Sequence, residues 1–149
     1  MQDLVAEKDF FDWLRHVSRA YADAMASWGQ RVHDTVARGT PESLEALIAE
    51  TDRATDRLVG ILMAIGARHD DRRTPAEGHP VLDALDRLIG ASAELLREAR
   101  SGIERQGVQA LAALSARIVE LRSLEADVED ASKRLSGRVT DSYGRPPEG

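Results

Sequence analysis

Apolar residues recur every three or four positions through nearly the whole chain, and only two short turns and one longer polar stretch interrupt them. That period is the spacing of one helix face, so the chain is confined to helices that each bury a stripe. The first turn, Arg38-Gly39-Thr40-Pro41-Glu42-Ser43-Leu44-Glu45-Ala46-Leu47, is answered 67 residues later by Arg105-Gln106-Gly107-Val108-Gln109-Ala110-Leu111-Ala112-Ala113-Leu114. Arg38 matches Arg105, Leu44 matches Leu111, Ala46 matches Ala113 and Leu47 matches Leu114. The sequence predicts helix-turn-helix twice over: an all-α, antiparallel helical bundle of two consecutive hairpins with long first and last helices. One domain is expected over 1–142, with hairpins at roughly 3–66 and 80–140, a linker at 67–79 and a flexible tail at 143–149.

The first helix is expected from Asp3 to Ala37, with the stripe Phe10, Leu14, Val17, Tyr21, Ala24, Trp28, Val32, Thr35. Gly39 suits the left-handed position just past its end. The second helix has Thr40 as N-cap and Pro41 at its first position. Ser43 stands where a capping box would carry an acid, so the box is expected to be incomplete. The stripe that follows is Leu44, Ile48, Thr51, Thr55, Leu58, Leu62, Ile65. The third helix, from near Val81 to Arg105, carries Leu82, Leu85, Ile89, Ser92, Leu96, Ala99 and Ile103, broadened by Val81, Leu88 and Leu95 for two neighbours. The fourth is expected as one helix from Val108 to Val139, with a seam through Leu111, Leu114, Ile118, Leu121, Leu124 or Glu125, Val128, Ser132, Leu135 and Val139. The expected core includes Leu14, Tyr21, Leu47, Leu58, Leu62, Leu85, Leu114, Ile118 and Leu121. The first and last helices are expected to overhang the inner pair by roughly 10 Å, which makes their ends the place to look for a partner.

At 149 residues, a single domain buries roughly 70% of its unfolded surface. The net charge of −6 argues against nucleic acid, whose binders show a basic face. With no Cys, disulfides, thiol catalysis and cysteine metal sites are excluded. A cytoplasmic location fits that composition. No secretory leader is expected from Met1-Gln2-Asp3-Leu4. The longest apolar stretch, Leu58 to Ala67, is too short to insert in a membrane.

No constellation carries chemistry. A di-metal bundle needs Glu-x-x-His pairs on facing helices, and neither that pattern nor His-x-x-x-His occurs. His69-Asp70-Asp71 and His79 could hold a cation or do acid-base work, but no nucleophile accompanies them at a recognisable spacing, and a solvated loop is the expectation. Neither catalytic residues, cofactor nor metal is therefore expected. Phe10-Phe11-Asp12-Trp13-Leu14 cannot hide behind a single stripe. It either anchors a partner or packs on two neighbours.

The phrase Val36-Ala37-Arg38-Gly39-Thr40-Pro41-Glu42-Ser43-Leu44-Glu45-Ala46-Leu47, the long last helix Leu111 to Val139 and the short ending Tyr143-Gly144-Arg145 together resemble the FlgN-like flagellar export chaperones. The resemblance covers nearly the whole chain. It implies a small cytoplasmic chaperone, with no enzymatic activity, that holds amphipathic C-terminal helices of hook-filament junction proteins before export. A client helix of this kind would lie on late helix 4, at Leu124, Val128, Leu135 and Val139, in a helix-in-groove mode. The alternatives from other classes are a non-catalytic four-helix sensor or signalling bundle and a self-associating, homo-oligomeric structural protein.

Overall fold

In a computed structural model of the chain, residues 2–139 are described, except for the side chains of 2–4, 115–116 and 138–139. The expected tail at 143–149 lies outside them. Among the described residues four α-helices follow in order: α1 (Gln2–Arg38), α2 (Pro41–His69), α3 (His79–Gln106) and α4 (Ser115–Val139). Short 3₁₀ segments at Ala76–Gly78 and Gly107–Leu114 precede α3 and α4. No strand occurs among the described residues.

The α1–α2 turn follows the sequence closely. Gly39 has φ +62°, a conformation costly for any side chain. Thr40 then caps α2: its hydroxyl accepts from the Ser43 amide at 3.1 Å, and Ser43 Oγ accepts from the Thr40 amide at 3.1 Å. The capping box is complete, contrary to expectation, because a serine hydroxyl reaches back as a glutamate would.

The second turn copies only half of the first. Gly107 takes φ +66°, but no Thr-Pro pair follows to cap a helix, and 107–114 winds as 3₁₀. This segment folds back on the end of α3, where a β-carbon on Gly102 would come within 2.8 Å of Ala110 Cβ. The expected single helix over 108–139 is thus divided. α4 has 25 residues and is the shortest helix, while α1, with 37, is the long one. Of the two outer helices, only α1 keeps the expected extra length.

One hydrophobic cluster draws on all four helices, and α3 is its centre. All ten apolar and small residues named for α3 above are buried, because it faces more than one neighbour. On α1 the whole stripe is buried except half-buried Val32. The α2 stripe is turned slightly: Leu47, Thr51, Ala54, Leu58, Ile61 and Ile65 are buried, and Leu44, Ile48, Thr55 and Leu62 lie half-buried on its flank. Sandwiched between α1 and α3, α2 buries the line between the two packing directions. Ile118 leaves the expected core altogether and is 40% exposed. The 3₁₀ segment repeats every 3.0 residues, so a stripe through Leu111 and Leu114 does not continue in phase to Ile118.

Among the described residues the buried hydroxyls are all paired. Trp28 Nε1 donates to Thr51 Oγ1 at 2.9 Å, and Thr51 in turn donates to the Leu47 carbonyl. Tyr21 bonds Ser92 Oγ at 2.8 Å, while Ser92 donates to the Leu88 carbonyl. Burial, opposed by the Ser92 bond and assisted by the Glu125 carboxylate, raises the Tyr21 phenol above its usual 10.0. The folded state therefore favours neutral Tyr21. The stability this provides is complete below the unfolded-state value and is lost as pH rises through the folded-state one. Tyr21→Phe is expected to cost about 0.5–1.5 kcal/mol at neutral pH and to flatten the alkaline loss of stability. Urea titrations at neutral and strongly alkaline pH read both effects, and an unchanged alkaline slope would move that loss to other groups.

Candidate functional site

The four sequence-derived contact residues sit on α4, which packs extensively on α3. Leu135 is 3% exposed and belongs to the core. Leu124 and Val128 are half-buried and rest against that core. The Val139 side chain lies outside the described residues. The late seam is therefore floored at Leu121 and Leu135 and partly open between them. Glu125, the alternative to Leu124, is exposed.

The reason for this opening lies in how the helices neighbour one another. Extensive helix-to-helix contact joins α1 to α2, α2 to α3, and α3 to α4, but no comparable contact joins α4 back to α1 among the described residues. The two are still close enough for the Glu125 carboxylate to act on Tyr21. A hydrogen bond and an ion pair fix the opposite flanks. Ser27 on α1 donates to Glu50 on α2 at 2.6 Å, and Arg117 on α4 reaches Glu98 on α3 at 3.0 Å. The remaining flank of the α1 stripe carries Phe11, Ser18, Met25 and Val32 at seven-residue steps, all half-buried. On α4, Ile118, Glu125 and Ser132 run at the same step beside the core line. This makes an α1–α4 seam without close backbone contact among the described residues, largely apolar on the α1 side and mixed on the α4 side.

Of the aromatic group near the start of α1, Phe10 and Trp13 lie away from that seam and only Phe11 borders it. Phe10 is fully buried, with its ring 5.8 Å from Trp13 and 6.4 Å from Phe11. Arg68 of α2 lies over Trp13 at 5.2 Å and pairs with Asp9 at 2.9 Å. The cluster packs on two neighbours, the second of the alternatives left open by the sequence.

The connection between hairpins is shorter and better knit than a solvated loop. Asp71 Oδ1 accepts from the Arg73 amide at 2.8 Å, and its carboxylate is gripped by the Arg73 guanidinium. That grip holds Asp71 down to about 2. Thr74 is buried and donates to the Arg68 carbonyl at 2.7 Å. A cavity of about 350 Å³ lies beside it, lined by Ala6, Arg72, Pro75 and Glu77 among others. His69 and His79, separated in sequence, are brought side by side. No group of three or more His, Asp or Glu side chains placed to hold a metal ion occurs among the described residues. Nor is any helix there long and apolar enough to cross a membrane.

Comparison with protein-family models, with curated proteins and with solved structures finds no match to this chain.

Proposed function

We propose that this protein is a non-catalytic helix-binding chaperone or adaptor whose client lies along the α1–α4 seam. The observation that carries this reading is that α4 packs closely on α3 but makes no comparably close backbone contact with α1 among the described residues, beside half-buried Leu124, Val128, Met25 and Val32. A partly filled groove costs less to open than a closed one, and an amphipathic helix supplies the apolar stripe that would fill it. The narrower reading, a cytoplasmic chaperone for the C-terminal helices of flagellar hook-filament junction proteins, rests on the sequence resemblance. The sensor alternative draws less support, because the buried polar side chains Tyr21, Trp28, Thr51 and Ser92 are satisfied by one another.

Val128→Asp is the informative variant, since Val128 borders the seam without being its floor. Titration against peptides spanning junction-protein C-terminal helices, with scrambled peptides as controls, should show at least a tenfold loss of affinity. Thermal stability should fall only modestly. Undiminished binding by the variant would reject the site, and no binding by the parent protein would reject this client class. Self-association through the same seam, the remaining alternative, would show as a dimer by light scattering that Val128→Asp dissociates.

A further inference from the structure

We infer that His69 and His79 form a two-histidine site for a borderline divalent cation such as zinc, nickel or copper, at the hinge between the two hairpins. The two Nδ1 atoms are 3.3 Å apart, whereas the ring centres are 5.4 Å apart, so these nitrogens are the near points of the two rings. Imidazole nitrogens bind zinc at about 2.0–2.1 Å, and two such bonds at a tetrahedral angle place the nitrogens roughly 3.3–3.4 Å apart. The separation already present is that of a tetrahedral edge, and a small turn of each ring converges both lone pairs on one point.

A carboxylate backs the first ligand. His69 Nε2 lies 3.2 Å from Asp83 Oδ1. An imidazole that donates its Nε2 hydrogen to a carboxylate keeps Nδ1 as a lone pair and becomes a stronger donor, the arrangement common behind metal-bound histidines. Without an ion, His79 Nδ1 donates to that lone pair; binding moves its hydrogen to Nε2 and exchanges the hydrogen bond for a second metal ligand. The His69 side chain is 32% exposed, so water can reach the remaining coordination positions. Imidazole ligands select zinc, nickel and copper over magnesium and calcium, which prefer oxygen.

The site ties folding to metal. His69 is the last residue of α2 and His79 the first of α3, so one ion would fasten both ends of the connection. Sequence spacing gives no hint of this. Ten residues across a loop match no helical ligand pattern, which is why no metal was expected. Two protein ligands make the site weaker than a closed structural one: Asp83 sits on the far nitrogen of His69, and no third His, Asp or Glu among the described residues is placed to hold the ion with them.

The test is calorimetric titration of metal-stripped protein with zinc, nickel or copper chloride near pH 7.5, with magnesium and calcium chloride as controls. One zinc, nickel or copper ion per chain is expected, with a raised melting temperature. His69→Gln and His79→Gln should each weaken binding at least tenfold, and Asp83→Asn by about tenfold. His16→Gln and His33→Gln, on exposed positions of α1, should leave it unchanged. Nitrogen-15 spectra of the parent protein should show both Nδ1 atoms shifted on metal addition, a readout independent of any variant's folding. No saturable binding, or binding that survives loss of both hinge histidines, or unshifted Nδ1 signals, overturns the inference.

Discussion

Phe10→Ala is expected to destabilise the protein by about 3–5 kcal/mol, enough to lower the melting temperature by on the order of 10 °C. The ring is fully buried, and truncation removes both its transfer free energy and the contacts of its surroundings. Those surroundings are unable to collapse easily. Trp13 is pinned beneath the Arg68 guanidinium and packed beside Phe10. On the other side the chain passes so close that a β-carbon on Gly78 would sit 2.9 Å from Phe10 Cζ. The backbone of the connection therefore rests on the ring, and the cavity left by alanine lies between three separate segments. Calorimetry of the variant measures the effect. A double-mutant cycle with Gly78→Ala identifies its cause. The added methyl should be destabilising beside phenylalanine and much less so beside alanine, because neighbours in contact couple. A loss below about 1 kcal/mol for Phe10→Ala would show that the hinge rearranges to fill the space.

That cluster marks the boundary of what the sequence makes legible. The α1 stripe could be read residue by residue because one uninterrupted period runs from Phe10 to Thr35, and the helix has no break along it. The α2 start was equally clear, since Thr40 and Pro41 are local signals with local causes. What escaped was whatever depended on two segments meeting. Phe11 and Trp13 fit no single stripe, and only the placing of Arg68 and the Ala76–Gly78 turn shows why they need not. The second turn looked like a copy of the first, yet the missing cap turned 107–114 into 3₁₀ and carried Ile118 out of phase with the core. The same change of phase left α4 starting at Ser115, shorter than expected. Of the four proposed contact residues, spacing placed Leu124, Val128 and Leu135 on the inward side of α4 but could not say how deeply each would sink. That depth follows from α4 lying closer to α3 than to α1, a property of helix arrangement rather than of α4's own sequence.

The depth of Leu135 decides the other large effect. Leu135→Asp is expected to cost several kcal/mol, because it exchanges a buried apolar side chain for a carboxylate at a position only 3% exposed. The Lys133 ammonium, two residues away, is already engaged with Glu129 at 3.0 Å on the exposed face of α4. The new carboxyl group would instead take up a proton or drag the end of α4 into water. Its pKa would be raised on folding, so the folded state should bind a proton that the unfolded state releases. The penalty is accordingly smallest below the usual aspartate range near 3.9 and grows as pH rises above it. Urea titrations of the variant at acid and neutral pH should show this dependence, opposite in sign to that of a salt-bridged aspartate. Because the damage arises inside the bundle, loss of client binding in Leu135→Asp would carry no information about a client. Val128→Asp, on the open part of the seam, is expected to separate the two properties. If Leu135→Asp instead left stability within about 0.5 kcal/mol of the parent, the end of α4 would not be packed on the core. The floor of the seam would then lie at Leu121 alone.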